Sequence, residues 1–327
     1  MIMKTKNTNS PIVISRLRHI NLLHYFDDNN RKKYLGNLKK QLSDDFEDNR
    51  LVKFIEIAFS MSKTILKKYS SRFSRKDYNL PALFTIICLK IRLNMTYRGI
   101  AEHAELLKGL KGYLSIKKIP HYSTLQKFFK RMPSDMFEKI TKKITAELEI
   151  NPETIMLDGS GFSSDFADQY YATIRGNCRK KYTKGHIAVD LDSRLILHGQ
   201  ALNGARHDTK FAIPSIRAVK RYKPSYILAD KAYDTEPIRK CIKKELGAIE
   251  QIPLKKNFQR GWHRRLSKKT FNKKIYNKRS QVEGVYSALK RKLSGILRSR
   301  NTRLKNKETK LKMLVYNIDQ TIILCRK

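Results

Sequence analysis

Three acidic residues stand where a metal-dependent reaction on nucleic acid would need them. Asp158 closes a short apolar run, Thr154–Leu157, and is followed by Gly159, where a substrate backbone can approach closely. Asp230 closes a second run, Tyr226–Ala229, within Ala229-Asp230-Lys231-Ala232-Tyr233-Asp234. Glu283 is the only acid between Gln251 and Lys307, among 19 Lys and Arg. In open α/β sheets, ligands are met at the carboxyl ends of strands. A single glutamate in a cationic stretch that grips phosphates is explained if it binds a metal ion acting on one of them. Two aspartates at adjacent strand ends and a glutamate on a facing helix suit hard, oxygen-preferring ions such as Mg²⁺ or Mn²⁺, with coordination positions left for substrate. A pair of such ions, about 3.5–4 Å apart, activates the attacking oxygen and stabilises the leaving one in phosphodiester cleavage. Taken singly, each acid also has a plainer reading: Asp158 and Asp230 as turn or cap residues, and Glu283 as the i+4 partner of Arg279. The strand, strand, helix order of the three together favours the metal site.

The elements that must position them change character near Asn151-Pro152, where the residue before proline resists helix. Before that point the sequence predicts helices. Asp45–Tyr69 has acids in its first turn, lysines in its last and apolar residues at three- and four-residue steps. Pro81–Leu93 is apolar almost all round and therefore buried. Thr96–Leu107 and Ser123–Met132 follow behind Thr and Ser caps, and a further helix begins at Pro133-Ser134 and runs to about Glu149. After Pro152 the period becomes strand-like. His186–Leu191 and Arg194–Leu202 form a hairpin around Asp192-Ser193; a helix behind Asp208 runs to about Arg221. Beyond Tyr226–Ala229 come a helix over Thr235–Leu246, a strand over Ala248–Ile252, a mobile loop at 255–274, and helices over Arg279–Leu297 and Lys305–Leu324. The predicted class is α/β, a mixed sheet flanked by helices and preceded by an all-α region. The expected division is 1–150 and 151–327, with no role assigned to residues 1–75.

Charge names the partner. The 327 residues carry 70 Lys and Arg against 29 Asp and Glu, a formal net charge of +41. Self-repulsion of that size opposes compaction unless a polyanion screens it, and nucleic acid does so with release of condensed counterions. The excess is steepest over 251–327, with 23 basic and 3 acidic residues. Hydrophobic residues still make up 40%, enough for a packed core. The longest apolar-rich run, about Ala82–Leu89, is far below the ~18 residues of a membrane span. No signal-peptide core follows the basic N-terminus. Cys88, Cys178, Cys241 and Cys325 form no CxxC pair, so they are read as thiols in a reducing cytoplasm, without a zinc site or disulfide framework.

The helix around Glu283 carries four residue types at fixed spacing: Tyr276, Arg279 three on, Glu283 four further and Lys290 seven further. With Leu157-Asp158-Gly159-Ser160 and Ala229-Asp230-Lys231-Ala232-Tyr233-Asp234, this resembles the DDE transposases of prokaryotic insertion sequences. The resemblance is strong over roughly 152–327 and weaker over 79–149, where it rests on Thr96-Tyr97-Arg98-Gly99-Ile100-Ala101 and Ser123-Thr124-Leu125. It implies an RNase H-like catalytic domain in which Asp158, Asp230 and Glu283 hold two Mg²⁺ or Mn²⁺ ions. It also implies cleavage at the ends of the element, strand transfer into target double-stranded DNA, and a homodimer in the DNA complex. Such a protein works in the cytoplasm, associated with the nucleoid and not with a membrane. The alternative is a catalytically inactive or domesticated DNA-binding derivative, against which the intact triad argues.

Further residues are candidates for DNA contact. Arg279 and Lys290 lie eleven apart, three helical turns, on the Glu283 side of their helix, and the resemblance assigns them to phosphates at the element's end. Tyr276 suits stacking on a base or packing. Trp262, the only tryptophan, stands beside His263, Arg264 and Arg265 and suits either insertion against an unstacked base or packing on the domain. Thr96–Leu107 and Ser123–Met132 resemble a helix-turn-helix with a link of about fifteen residues, and Gln126, Lys127, Lys130 and Arg131 offer groove contacts. Asp208 and Asp234 are expected to cap the helices that follow them.

Overall fold

The computed structural model describes residues 49–107, 109–164, 174, 182–204, 206–256 and 260–325. The acids predicted to open the first helix (Asp45, Glu47, Asp48), most of segment 1–75 and Cys178 lie outside the described residues.

The helical region runs α1 (Arg50–Ile65), α2 (Leu80–Arg92), α3 (Tyr97–Leu106), α4 (Leu110–Tyr113), α5 (Tyr122–Arg131) and α6 (Met136–Glu147). Local sequence accounts for the starts of α1, α2 and α3. The side chains of Asn49, Asn79 and Thr96 accept from Leu51 N, Ala82 N and Gly99 N, and Pro81 sits in the first turn of α2. The apolar run of α2 is buried from Pro81 to Ile91.

The sheet that follows is mixed. Strands β1 (Thr154–Ser164), β2 (Tyr182–Asp190) and β3 (Ile196–Asn203) form an antiparallel meander. After α7 (Thr209–Val219), strand β4 (Tyr226–Leu228) pairs parallel with β1. After α8 (Glu236–Cys241), β5 (Ile249–Gln251) pairs parallel with β4, so the order is β3-β2-β1-β4-β5. Then come α9 (Trp262–Thr270), α10 (Lys273–Asn277), α11 (Ser280–Leu293), the short β6 (Ile296–Leu297) against the far end of β1, and α12 (Thr302–Leu324). This is the mixed, helix-flanked sheet expected of an RNase H-like domain.

Side chains alternate across the central strand as the pleat requires. Ile155 and Leu157 join a core with Ala212, Ile216, Ile238 and Ile242 on the α7–α8 face. Met156 and Phe162 face the opposite way, onto α11 and α12. This second core is continuous with the helical region, since Leu311, Leu314 and Ile318 of α12 cluster with Phe54, Phe84, Ile87 and Ile140. Buried cations reinforce the junction. The Lys307 ammonium donates to the carbonyls of Phe129, Lys130 and Met132 at 3.1, 3.1 and 2.6 Å, capping the end of α5. Arg92 pairs with Asp319 at 3.0 Å. Lys307→Met keeps the stem but leaves three carbonyls without a donor, and should cost about 1–3 kcal/mol in urea unfolding of the full chain. An unchanged midpoint would show that water replaces the ammonium without loss.

Several predicted elements differ from the structure. The first strand does not end at Leu157: Asp158 to Ser164 continue it, because the polar and glycine-containing run is paired with β2 along its length. The segment 255–274, predicted as a mobile loop, contains α9 and the start of α10. The helix predicted over Arg279–Leu297 stops at Leu293, where Ser294 adopts a positive φ of 64° and the chain joins the sheet. Among the described residues no helix is long and apolar enough to cross a membrane.

Candidate active site

The parallel pairing of β1 with β4 sets Met156 opposite Leu228. Continued by two residues, that register places Asp158 beside Asp230, where β4 has ended and β1 has not. Asp230 opens a single 3₁₀ turn (Lys231–Tyr233), its carboxylate accepting from Ala232 N at 2.7 Å. Tyr233, buried behind it, shares a 2.8 Å hydrogen bond with His186 on β2 and so pins this turn to the sheet.

Asp158 is strongly perturbed. Burial pushes its carboxyl up to about 6, and the nearby charges of Asp230 and Asp208 push the same way; the Gly159 N–H and Arg279 oppose them. The carboxylate stays ionised at neutral pH, but in a crowd of like charge that a cation would relieve. Two partly buried carboxylates of this kind fit a hard divalent ion.

Helix α11 lies across this end of the sheet. Arg279, just before it, approaches Asp158 at 3.8 Å and donates to Glu283 at 3.0 Å. Lys290, three turns on, donates to Ser160 Oγ on β1 at 2.7 Å. Arg279 and Lys290 therefore both reach β1, at Asp158 and two residues beyond it. Glu283 itself is 64% exposed and is held by Arg279 instead of touching the aspartates. Among the described residues no group of three or more His, Cys, Asp or Glu is gathered closely enough to hold a metal ion. The structure thus brings Asp158 and Asp230 together and places Glu283 on the adjoining helix, one ion pair removed.

Sequence reasoning missed Tyr286. Its hydroxyl lies 2.8 Å from Gly185 O and 3.2 Å from Asp158 O, tethering α11 to the very residue whose side chain is the candidate ligand. A tyrosine one turn beyond Glu283 was the available signal, since residues three apart share a helix face. Ser160, the partner of Lys290, carried no signal of its own.

Two expected caps are something else. Asp208 has helical φ and ψ and makes no side-chain cap bond; its carboxylate turns to Lys184 on β2, at 2.8 Å. Asp234 is fully buried and pairs with Arg239 at 3.0 Å and Arg264 at 2.9 Å, while accepting from Lys255 N. The reason is the same in both: a charge close to buried countercharges gains more from them than from a helix terminus.

That Asp234 cluster fixes the basic segment. Arg239 has no exposed surface and also bonds Glu250 and Ile252 O. Glu236 accepts from His263 N at 2.9 Å and Arg264 N at 3.2 Å at the start of α9. Trp262, the first residue of α9, remains 67% exposed. Tyr276 lies on α10, half-buried, its ring 5.6 Å from that of Phe271. On α5, Leu125 and Phe129 face the core while Gln126, Lys127, Lys130 and Arg131 are exposed. The link between α3 and α5 contains α4, and Arg98 stacks over Tyr122 at 5.0 Å.

A comparison with curated proteins finds no match. The family model described as "Transposase DDE domain" matches residues 150–318, just over half of the 327.

Proposed function

The chain belongs to the DDE transposase family, and from that membership we propose that it binds the terminal repeats of an insertion sequence, cuts there, and transfers the cut strand into target DNA. The observation that carries this reading is the β1–β4 register that sets Asp158 beside Asp230, with Arg279 and Lys290 reaching the same strand from the helix of Glu283. Asp158, Asp230 and Glu283 are proposed as the metal-binding residues. The chemistry that two Mg²⁺ or Mn²⁺ ions supply when bound there is activation of the attacking oxygen and charge neutralisation at the leaving one. Arg279 and Lys290 then orient the scissile phosphate, which requires Arg279 to give up its contacts with the two carboxylates in favour of the phosphate. Water is directed first at the end of the element. The freed 3′-hydroxyl attacks target DNA in the same site, so the same residues orient both nucleophiles. Acting on paired ends calls for a homodimer on DNA, and the protein is placed in the cytoplasm with the nucleoid.

Residues 1–150 are proposed to recognise the ends through α5, with Trp262 and Tyr276 stacking on bases near the cut. Incubating the full chain with end-containing DNA, with Mg²⁺, with Mn²⁺ or with chelator, tests the reading. Metal-dependent cuts at the ends are expected; end binding without any cleavage in either metal would leave only the non-catalytic alternative. Binding should also be steeply salt-dependent. Lys127→Ala and Arg131→Ala are each expected to lower the magnitude of the slope of log K against log[salt] by about 0.9, the value for one phosphate contact. An unaltered slope would remove α5 from the DNA interface.

A further inference from the structure

The connection from α1 to α2, residues 66–79, carries Lys67, Lys68, Arg72, Arg75 and Lys76 against one acid, Asp77. All five cations are exposed, and Asp77 faces Lys118 at 3.8 Å. At the turn within this loop stands Phe73, 84% exposed, with the guanidinium carbon of Arg72 4.6 Å from its ring centre. A lone exposed apolar side chain needs no explanation. This one is the most exposed large apolar side chain among the described residues, and it is ringed by cations. The loop is also held in place. Leu80 N donates to Lys68 O at 2.9 Å and closes its base. Ser74 donates to Ser71 O from both its backbone N–H, at 3.3 Å, and its hydroxyl, at 2.8 Å, which fixes the turn of Phe73. The buried Asn79 amide donates to Leu114 O at 2.8 Å and ties the foot of the loop to the segment before α5. A groove of about 490 Å³ beside it is lined by Tyr78 and by His121 and Tyr122 at the start of α5, but its cations Arg98 and Lys118 are matched by Glu102 and Glu105. The excess of positive charge therefore lies on the loop.

We propose that the 66–79 loop is a second DNA-contacting element of the helical region, in which Phe73 enters duplex DNA as an apolar wedge while the flanking cations hold phosphates. A wedge of this kind unstacks a base step and bends the duplex. The ring supplies the contact with the bases, and the cations neutralise the backbone that the bend brings close. Arg72, stacked on the ring, enters the groove with it. The turn is already ordered by its own hydrogen bonds, so insertion has little ordering entropy to overcome. The inference rests on the reading of DNA as partner and adds a contact that α5 does not make. A basic loop with an exposed aromatic also suits an anionic membrane surface. Membership of the transposase family and the net charge of +41 favour DNA.

The test uses the full chain and an end-containing duplex of about 25 base pairs with a dye at each end, read for affinity by anisotropy and for bending by energy transfer. Phe73→Ala should weaken binding about tenfold, the loss of one base stack, and reduce the bend. Phe carries no charge, so the slope of log K against log[salt] should stay the same in that variant. Phe73→Leu keeps a wedge and should retain most of the bend. Arg75→Ala and Lys76→Ala should each lower the magnitude of the slope by about 0.9. Thermal melts should be unaltered throughout, because these side chains are exposed. If Phe73→Ala binds and bends DNA as the unaltered chain does, the inference fails alone. Affinity lost with the bend unchanged would place Phe73 on the duplex surface and overturn the wedge. If the unaltered chain does not bind duplex DNA, the inference fails together with the functional reading. Cosedimentation with phosphatidylserine–phosphatidylcholine vesicles that depends on Phe73, with DNA binding that does not, would assign the loop to a membrane and overturn the inference.

Discussion

Asp158→Asn is expected to reduce metal-dependent cleavage by about 1,000-fold or more, corresponding to about 4 kcal/mol of lost transition-state stabilisation, while end binding persists. The variant is nearly isosteric, and its folded state should be no less stable than that of the unaltered protein near neutral pH. The sign follows from the raised carboxyl. With a folded pKa near 6 against an ordinary value of 3.8, the native state holds the proton more tightly than the unfolded chain does. Stability contributed by this group therefore falls as pH rises from about 4 to 6. Removing the ionisable group removes that loss. Cleavage assays and thermal melts of the same preparation check both halves: near-normal cleavage would mean that Asp158 is not a ligand, and a marked fall in melting temperature at pH 7 would mean that its charge is structurally required. Asp230→Asn and Glu283→Gln should repeat the loss of cleavage. For Glu283 the result is the more informative, since it reports whether a residue now paired with Arg279 is recruited when DNA and metal are present.

Arg239→Met is expected to destabilise the fold by about 3–5 kcal/mol, the usual consequence of removing one partner from a buried ion cluster. Arg239 is completely buried and serves Asp234, Glu250 and the Ile252 carbonyl at once. Arg264 and the Lys255 N–H also bond Asp234, so that acid keeps partners; Glu250, 6% exposed, loses its contact with Arg239. Chemical denaturation gives the number directly. A loss below about 1 kcal/mol would show that Arg264 and water compensate, and that the cluster is not what holds α9 and Trp262 beside the turn after Asp230.

Much of this protein could be read along the chain because the relevant signals are local or periodic. The cap at Thr96, the buried apolar helix α2 and the switch to strand after Pro152 each depend on a few neighbouring residues. The same is true of the three acids, of which Asp158 and Asp230 follow short apolar runs and Glu283 stands within a basic stretch, and of the Tyr276–Lys290 spacing that carries the family resemblance. The basic segment escaped because α9 buries only His263 and Ser267, and so shows almost no apolar stripe; it is held by Asp234 and Glu236 from the turn after β4. The second half of β1 escaped because DGSGFSS has little strand propensity of its own and is a strand through its pairing with β2. What the tertiary structure alone decided is which charges meet. Asp208, at the start of α7, packs against Gly159, and Lys184 stands beside it on the neighbouring strand. Tyr286 ties α11 to a strand 128 positions away, and Lys307 closes the end of a helix 175 to 178 positions away. A side chain's choice between helix cap, ion pair and metal ligand is a competition among partners. Those partners become neighbours only when strands pair and helices pack, so the sequence names the competing groups while the packed chain determines which contacts form.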